Sequence, residues 1–261
     1  MEDRVRITLA DHVAEVRLSR PDKMNALDPA MFAGIVDAIE QVQAMQGVRC
    51  VVLAGEGRAF CAGLDMASMA SGGSGMDLHH RPYGNGANLV QQVAWGWRTL
   101  PVPVIAAVHG VAFGGGFQIM SGADIRIAAP GTRFAIREAH WGLIPDMAGP
   151  TLWRTLVRDD VLRELTYTAR EFDADEAARL GFISHVEDHP LDAAHALARA
   201  IAARNPEATR AAKALYNQVP DARDADILVA ESELQLKVIR QPNQIEAVRA
   251  NMEKRAPVFA D

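Results

Sequence analysis

The sequence predicts an α/β fold with a largely parallel sheet and a helical C-terminal region, and three features carry that expectation. From residue 5 to about residue 145, short β-branched runs alternate with segments whose apolar residues recur at helical spacing, which requires crossover connections between parallel strands. One such run, Val102 to Val108, leads into Gly114, Gly115 and Gly116 and then into helix-compatible residues. Beyond residue 145 helical patterns dominate.

The opening runs Val5 to Leu9 and Val13 to Leu18 alternate apolar and polar residues on either side of Ala10, Asp11 and His12, the pattern of a β-hairpin. Arg20, Pro21 and Asp22 break it. Asp28 followed by Pro29 is a cap and first-turn pair, and Phe32, Ile35, Val36, Ile39 and Val42 give a helix its apolar face up to Gly47. Arg49 to Ala54 reads as a buried strand and residues 55 to 65 as a loop. Ser71 to Gly75 reads as a mobile surface loop, before a helix from about Asn88 to Arg98. Strands are expected at Val104 to Val108, Ile125 to Ala128 and Phe134 to Ile136, then a helix from Ala174 to Leu180 stopped by Gly181, and a last short strand from Ile183 to Val186. Helices over Asp192 to Arg204, Pro206 to Gln218, Asp224 to Ile239 and Gln244 to Arg255 complete the chain. The shift divides it into an α/β core, residues 1–199, and a helical subdomain, residues 200–261, whose apolar faces fit docking on another subunit.

At 261 residues and 49% hydrophobic, the chain buries a substantial core. A net charge of −6 and a pI near 5.8 leave no overall basic surface for nucleic acid. Cys50 and Cys61 are too few for a disulfide framework and lack metal-ligand spacing, so a reducing, cytoplasmic setting is expected. No apolar run reaches the ~20 residues of a membrane helix, and a soluble protein is expected.

Three glycines at a strand-to-helix junction sacrifice helix stability. Either they let an anionic or polarised oxygen reach the free N–H groups of a helix's first turn, or they allow tight helix-against-strand packing. The common phosphate-loop patterns do not fit, because no Gly-Lys-Ser/Thr follows and the G-x-G-x-x-G spacing is absent.

Two loops have similar chemistry: Ala59-Phe60-Cys61-Ala62-Gly63-Leu64-Asp65 and Gly110-Val111-Ala112-Phe113-Gly114-Gly115-Gly116. With Arg20-Pro21-Asp22-Lys23-Met24-Asn25-Ala26-Leu27, they resemble the crotonase superfamily of enoyl-CoA hydratases and isomerases. The likeness continues through Phe134 to Glu138, Gly142 to Pro145, Ala177 to Gly181 and Glu253 to Pro257. The resemblance implies a spiral of ββα turns with a C-terminal helical trimerisation region, and hence a homotrimer or a dimer of trimers. It also implies an acyl-CoA thioester substrate whose coenzyme A is part of the substrate, with no separate cofactor and no metal. By position, the backbone N–H groups of Leu64 and Gly115 would form an oxyanion hole for the thioester carbonyl. Lys23, Ala62, Leu64 and Asp65 would contact the substrate or its coenzyme A, and Lys254 would reach the nucleotide.

The catalytic positions depart from the hydratase pattern. Hydratases of the superfamily carry a glutamate where this chain has Gln118, and an amide cannot take a proton from water. The second glutamate is present as Glu138, and Asp146 follows eight residues on, as in the family's dienoyl-CoA isomerases. Those isomerases usually carry aspartate at the position of Gln118. The resemblance thus implies double-bond migration by Glu138 and Asp146, with Gln118 as a third site residue. Hydration by Glu138 with Gln118 orienting the water is the alternative, and a non-catalytic acyl-CoA-binding protein is the alternative of another class. At this level Glu138 also fits a solvated strand-end charge, Asp146 a helix cap near Met147, and Gln118 an anchor for Glu138. His109 and His140 read as structural histidines. Phe113, Phe117 and Trp141 fit either an acyl pocket or the core.

Overall fold

The computed structural model describes residues 4–70 and 77–261, and the chain opens with the expected hairpin of β1 (Val5–Ala10) and β2 (Val13–Leu18). Asp11 and His12 both take left-handed backbone, φ 49° and 64°, as a two-residue hairpin turn requires. α1 (Pro29–Ala44) starts at its expected cap, Asp28, which accepts the Met31 N–H at 2.8 Å. β3 (Cys50–Gly55), α2 (Met66–Ala70) and α3 (Leu89–Thr99) follow, and Asn88 and Gln91 close a reciprocal capping box on α3. The expected Ser71 to Gly75 loop lies outside the described residues.

β4 (Val104–Val108), β5 (Val111–Phe113), α4 (Gly115–Ser121), β6 (Ile125–Ala128) and β7 (Arg133–Ala135) form the middle of the chain. Then come α5 (Gly149–Trp153), α6 (Asp159–Thr168), β8 (Phe172–Asp173), α7 (Ala174–Leu180) and β9 (His185–Val186). The C-terminal helices are α8 (Pro190–Ala202), α9 (Pro206–Gln218), α10 (Asp224–Val238) and α11 (Pro242–Glu253). Sequence periodicity does not separate α2, β5, α5, α6 and β8, each too short or too irregular to show a period. The division expected at residues 199 and 200 falls inside α8, which packs on β3, β4 and β6.

The larger sheet has the order β1-β2-β3-β4-β6-β9, antiparallel at β1/β2 and parallel elsewhere. β3 and β4 are buried on both faces, which is why they read as continuous apolar runs. Alternate residues of β3 serve opposite cores. Val51 and Leu53 face the side of α1, α3 and α4, whereas Cys50, Val52 and Ala54 meet Ala194, Ala198 and Ala202 of α8.

A second stack places the site. Leu27 bridges Leu64 in parallel, Cys61 bridges Ala112 in parallel, and β5, β7 and β8 continue as a small sheet. Successive turns of the chain therefore lie side by side at the same edge of the molecule. Residues far apart in sequence become neighbours there, 27 beside 64 and 61 beside 112.

Candidate active site

The Leu64 and Gly115 N–H groups are brought together by this stacking of turns. Leu27 donates its N–H to Gly63 O at 2.8 Å and accepts from Asp65 N at 3.0 Å, so the Leu64 N–H points the other way, toward the turn that carries Gly115. On that side the Phe113 N–H binds Cys61 O at 3.1 Å. A Cβ on Gly63 would lie 3.6 Å from the Gly115 nitrogen. Gly115 opens α4, so its N–H has no helical partner, and among the described residues neither this N–H nor that of Leu64 has an acceptor.

Each of the three glycines has its own reason. Gly114 takes φ 49°, and a Cβ on Gly116 would sit 2.3 Å from Cys61 O, so this glycine serves turn-against-turn packing. Gly115 lines the cavities described below. The packing reading of the glycine run holds at Gly116, and Gly115 lies on the cavities where an oxygen would have to approach.

Glu138 follows β7 and begins a short 3-10 turn; it is 7% exposed, which removes the reading of a solvated charge. Its Oε1 accepts from Gln118 Nε2 at 2.6 Å, and its buried Oε2 has no protein partner among the described residues. Burial pushes the Glu138 pKa up, and the negative charge of Asp146 adds to the rise. Asp146 lies at the rim, exposed as a residue, and the cavity walls around its carboxyl raise its pKa by desolvation. It is not a helix cap: α5 starts at Gly149 after Ala148, with no side-chain cap.

Gln118 is fully buried and does not line the cavities, unlike the other two expected catalytic residues. Its Oε1 accepts from the N–H groups of Met147 and Gly149, both at 2.9 Å, while its Nε2 holds Glu138.

A cavity of about 260 Å³ brings Glu138, Asp146, Leu64 and Gly115 together, walled by Phe32, Leu78, Val90, Leu143, Ile144 and Met147. A second, of about 190 Å³, shares Leu64, Gly115, Glu138 and Leu143 and adds Ala62, Met66, Phe113, Arg137 and Trp141. A further cavity of about 280 Å³ lies by α5 and α6, but its Asp159 is paired with Arg163 at 2.7 Å and none of Leu64, Gly115, Glu138 or Asp146 lines it. Of the three aromatic candidates, Phe113 and Trp141 line the site, whereas Phe117 is at the centre of a buried cluster with Phe134, Trp153, Phe172 and Phe182.

The remaining expected residues are spread more widely. Asp65 is held by Arg20 at 2.7 Å, which pulls its pKa down and ties the loop after Leu64 to the Arg20 turn. Lys23 is exposed beside that loop, and Lys254 is exposed at the left-handed end of α11, φ 53°. His109 binds Gly57 O at 2.9 Å, and the exposed His140 packs edge-on against its neighbour Trp141. Sequence reasoning missed Asn25. This buried, left-handed residue accepts the Arg20 N–H and directs its amide at the Glu56, Ala59 and Phe60 carbonyls, holding the Leu64 loop. The available signal was the residue type, since asparagine is one of the few residues that takes left-handed backbone readily.

Stacked strand turns, two free N–H groups meeting at a helix start and carboxyl groups beside them define a protein of crotonase fold. The family model for enoyl-CoA hydratase/isomerase matches residues 8–261, and the chain belongs to that family. It is 34% identical over 253 residues to the enoyl-CoA hydratase EchA19 of Mycobacterium tuberculosis, covering 95% of this chain and 93% of that one. It is 32% identical over 270 residues to the mitochondrial Delta(3,5)-Delta(2,4)-dienoyl-CoA isomerase of Mus musculus, covering 96% and 80%. Among solved structures, an enoyl-CoA hydratase from Mycobacterium tuberculosis superposes with a TM-score of 0.88 at 27% identity, covering 99% of each chain. No helix among the described residues is long and apolar enough to cross a membrane.

Proposed function

We propose that this chain moves a double bond in an unsaturated acyl-CoA, a dienoyl-CoA in the first instance, through a dienolate held by the Leu64 and Gly115 N–H groups. The observation that carries this reading is the unequal pair on one cavity: Glu138 buried with an unpartnered Oε2, and Asp146 at the rim. Unequal environments separate two carboxyl groups into a base and an acid. Asp146, at the rim, serves as the base and removes a proton at carbon 2; the charge flows onto the thioester oxygen, where two fixed donors meet it. Glu138, whose pKa burial and the Asp146 charge raise, serves as the acid and returns a proton at the far carbon from Oε2. No water has to be activated. Hydration by Glu138 needs Gln118 to hold the water, and the Gln118 amide already serves Glu138, Met147 and Gly149.

Asp146→Asn tests the reaction. It is expected to lower solvent-deuterium exchange at carbon 2 and isomerisation of a 3,5-dienoyl-CoA by about 100-fold or more, with binding of the thioester unchanged. A wild-type protein that hydrates crotonyl-CoA efficiently, matched by Asp146→Asn, would sink the isomerase reading. Saturable binding without turnover of either substrate class would favour the binding-protein alternative.

Coenzyme A binding by Lys23 and Lys254 belongs to the same reading. Arg255 is paired with Glu246 and Glu253, which leaves the neighbouring Lys254 ammonium without an ion-pair partner among the described residues. Lys254→Ala is expected to weaken coenzyme A affinity about threefold to tenfold at low salt, an effect that shrinks as salt screens it. Unchanged affinity at low salt refutes the assignment. The homotrimer, or dimer of trimers, is supported by the exposed Leu228, Val229 and Leu236 of α10 and Ile245, Val248 and Met252 of α11, and light scattering decides it.

A further inference from the structure

We infer that Gln118 is a positioning residue whose one amide aligns both carboxyl groups of the site, Glu138 through its N–H₂ and Asp146 through the Met147–Gly149 backbone. The inference rests on the reading of Glu138 and Asp146 as the reacting pair. Glu138 Oε1 accepts from Gln118 Nε2 at 2.6 Å, and with that oxygen occupied only Oε2 is left to exchange a proton with a substrate. On its other side Gln118 Oε1 takes two N–H groups at 2.9 Å, those of Met147 and Gly149.

The segment carrying Asp146 has little local reason to keep its shape. Its Ala148 is left-handed at φ 68°, an unfavourable conformation for a residue with a Cβ, and α5 has no capping side chain of its own. Gln118, from another turn of the spiral, takes the place of that cap. Gly149 makes room for it, since a Cβ there would lie 2.7 Å from Gln118 Oε1 and 2.4 Å from the Trp153 ring. Trp153 in turn donates to Ser121 Oγ at 2.8 Å, a second tie between α5 and α4.

The geometry calls for an amide. A donor must face Glu138 while an acceptor faces the backbone, and no other side chain of that size offers both at every pH. An ionised glutamate at 118 would keep the acceptor half and lose the donor half. It would also place a second carboxylate against Glu138, so that the pair would hold one proton between them and Glu138 Oε2 would no longer be an independent acid. Methionine keeps the length and loses both halves.

The test compares wild type, Gln118→Met and Gln118→Glu, with native packing checked by near-ultraviolet circular dichroism. Infrared difference titration follows the Glu138 carboxyl, its band assigned by loss in Glu138→Gln. Exchange at carbon 2 and isomerisation of a 3,5-dienoyl-CoA are measured in parallel. In Gln118→Met the Glu138 midpoint is expected to move to higher pH, because the N–H that favours its ionised form is gone, and both reactions fall about 100-fold with KM little changed. In Gln118→Glu the midpoint also rises and isomerisation falls similarly, but exchange at carbon 2 stays within about threefold of wild type because Asp146 keeps its support. An unmoved midpoint in whichever variants fold, or isomerisation within about twofold of wild type in them, overturns the inference. A wild type that neither exchanges nor isomerises overturns the proposed function instead, and the infrared midpoints still decide the role of Gln118.

Discussion

Glu138→Gln is expected to slow isomerisation about 1,000-fold while making the protein more stable at pH 7. The loss of rate follows from replacing the buried carboxyl on the cavity by an amide that keeps the Gln118 hydrogen bond but has no acidic proton to return. The gain in stability follows from linkage. Burial and the Asp146 charge raise the Glu138 pKa above its ordinary value of 4.5, so between the unfolded and folded pKa values the folded protein binds more protons than the unfolded chain. Stability then falls as pH rises through that window, and above the folded pKa the full cost of ionising a buried carboxyl is present. Glutamine at 138 removes that cost, so the difference between variant and wild type should vanish below the unfolded pKa. On the proposed mechanism the same pair is expected to set the rate profile, with kcat rising as Asp146 ionises and falling as Glu138 loses its proton. Denaturant midpoints at acid and neutral pH, with kcat across the range, check both halves. A Glu138→Gln protein that is less stable at neutral pH, or that retains a tenth of the wild-type rate, contradicts the assignment of a raised, acid-form Glu138.

Gly116→Ala should cost about 2–4 kcal/mol of stability and about 100-fold in kcat, although this residue touches no substrate. The added Cβ would lie 2.3 Å from Cys61 O and 2.8 Å from Cys61 Cβ. Cys61 cannot yield easily. Its N–H binds Val111 O at 3.1 Å, its carbonyl accepts from Phe113 N at 3.1 Å, and its thiol donates to Asn25 O at 3.1 Å. The clash is expected to separate the turn carrying Leu64 from the turn carrying Gly115, so that the two N–H groups proposed to hold the thioester oxygen no longer converge. Thermal unfolding and single-turnover kinetics below the transition temperature separate the two effects. Wild-type kcat in a destabilised Gly116→Ala protein would show that Leu64 and Gly115 do not act as a pair.

Much of the architecture was legible in the chain because its signals are local. Asp28-Pro29 marked the start of α1, Asn88 that of α3 and Gly181 the end of α7, and each acts through backbone groups within a few residues. The apolar runs of β3 and β4 announced strands buried on both faces. By contrast α5 and α6 gave no clear period. α5 is only five residues long and starts from a left-handed alanine, and of the ten residues of α6 only Leu165 is buried.

The candidate site divides along the same line. Its residue types and the two glycine-bearing loops stood in the sequence, and they were enough for the family and for proposing Leu64, Gly115, Glu138 and Asp146 as candidates. The direction of each group was decided by tertiary structure. That the Leu64 N–H faces Gly115 depends on the bridge to Leu27; that Glu138 is buried and Asp146 at the rim depends on how the 3-10 turn after β7 meets α4. Gln118 shows the difference most clearly, since by residue type it fitted a group orienting a water or an anchor for Glu138, and the fold turned its amide to Glu138 on one side and to the Met147 and Gly149 backbone on the other. Periodicity and caps report what a residue's near neighbours in the chain require, whereas burial, pKa and hydrogen-bond direction are set by neighbours that only stacking of the turns brings within reach.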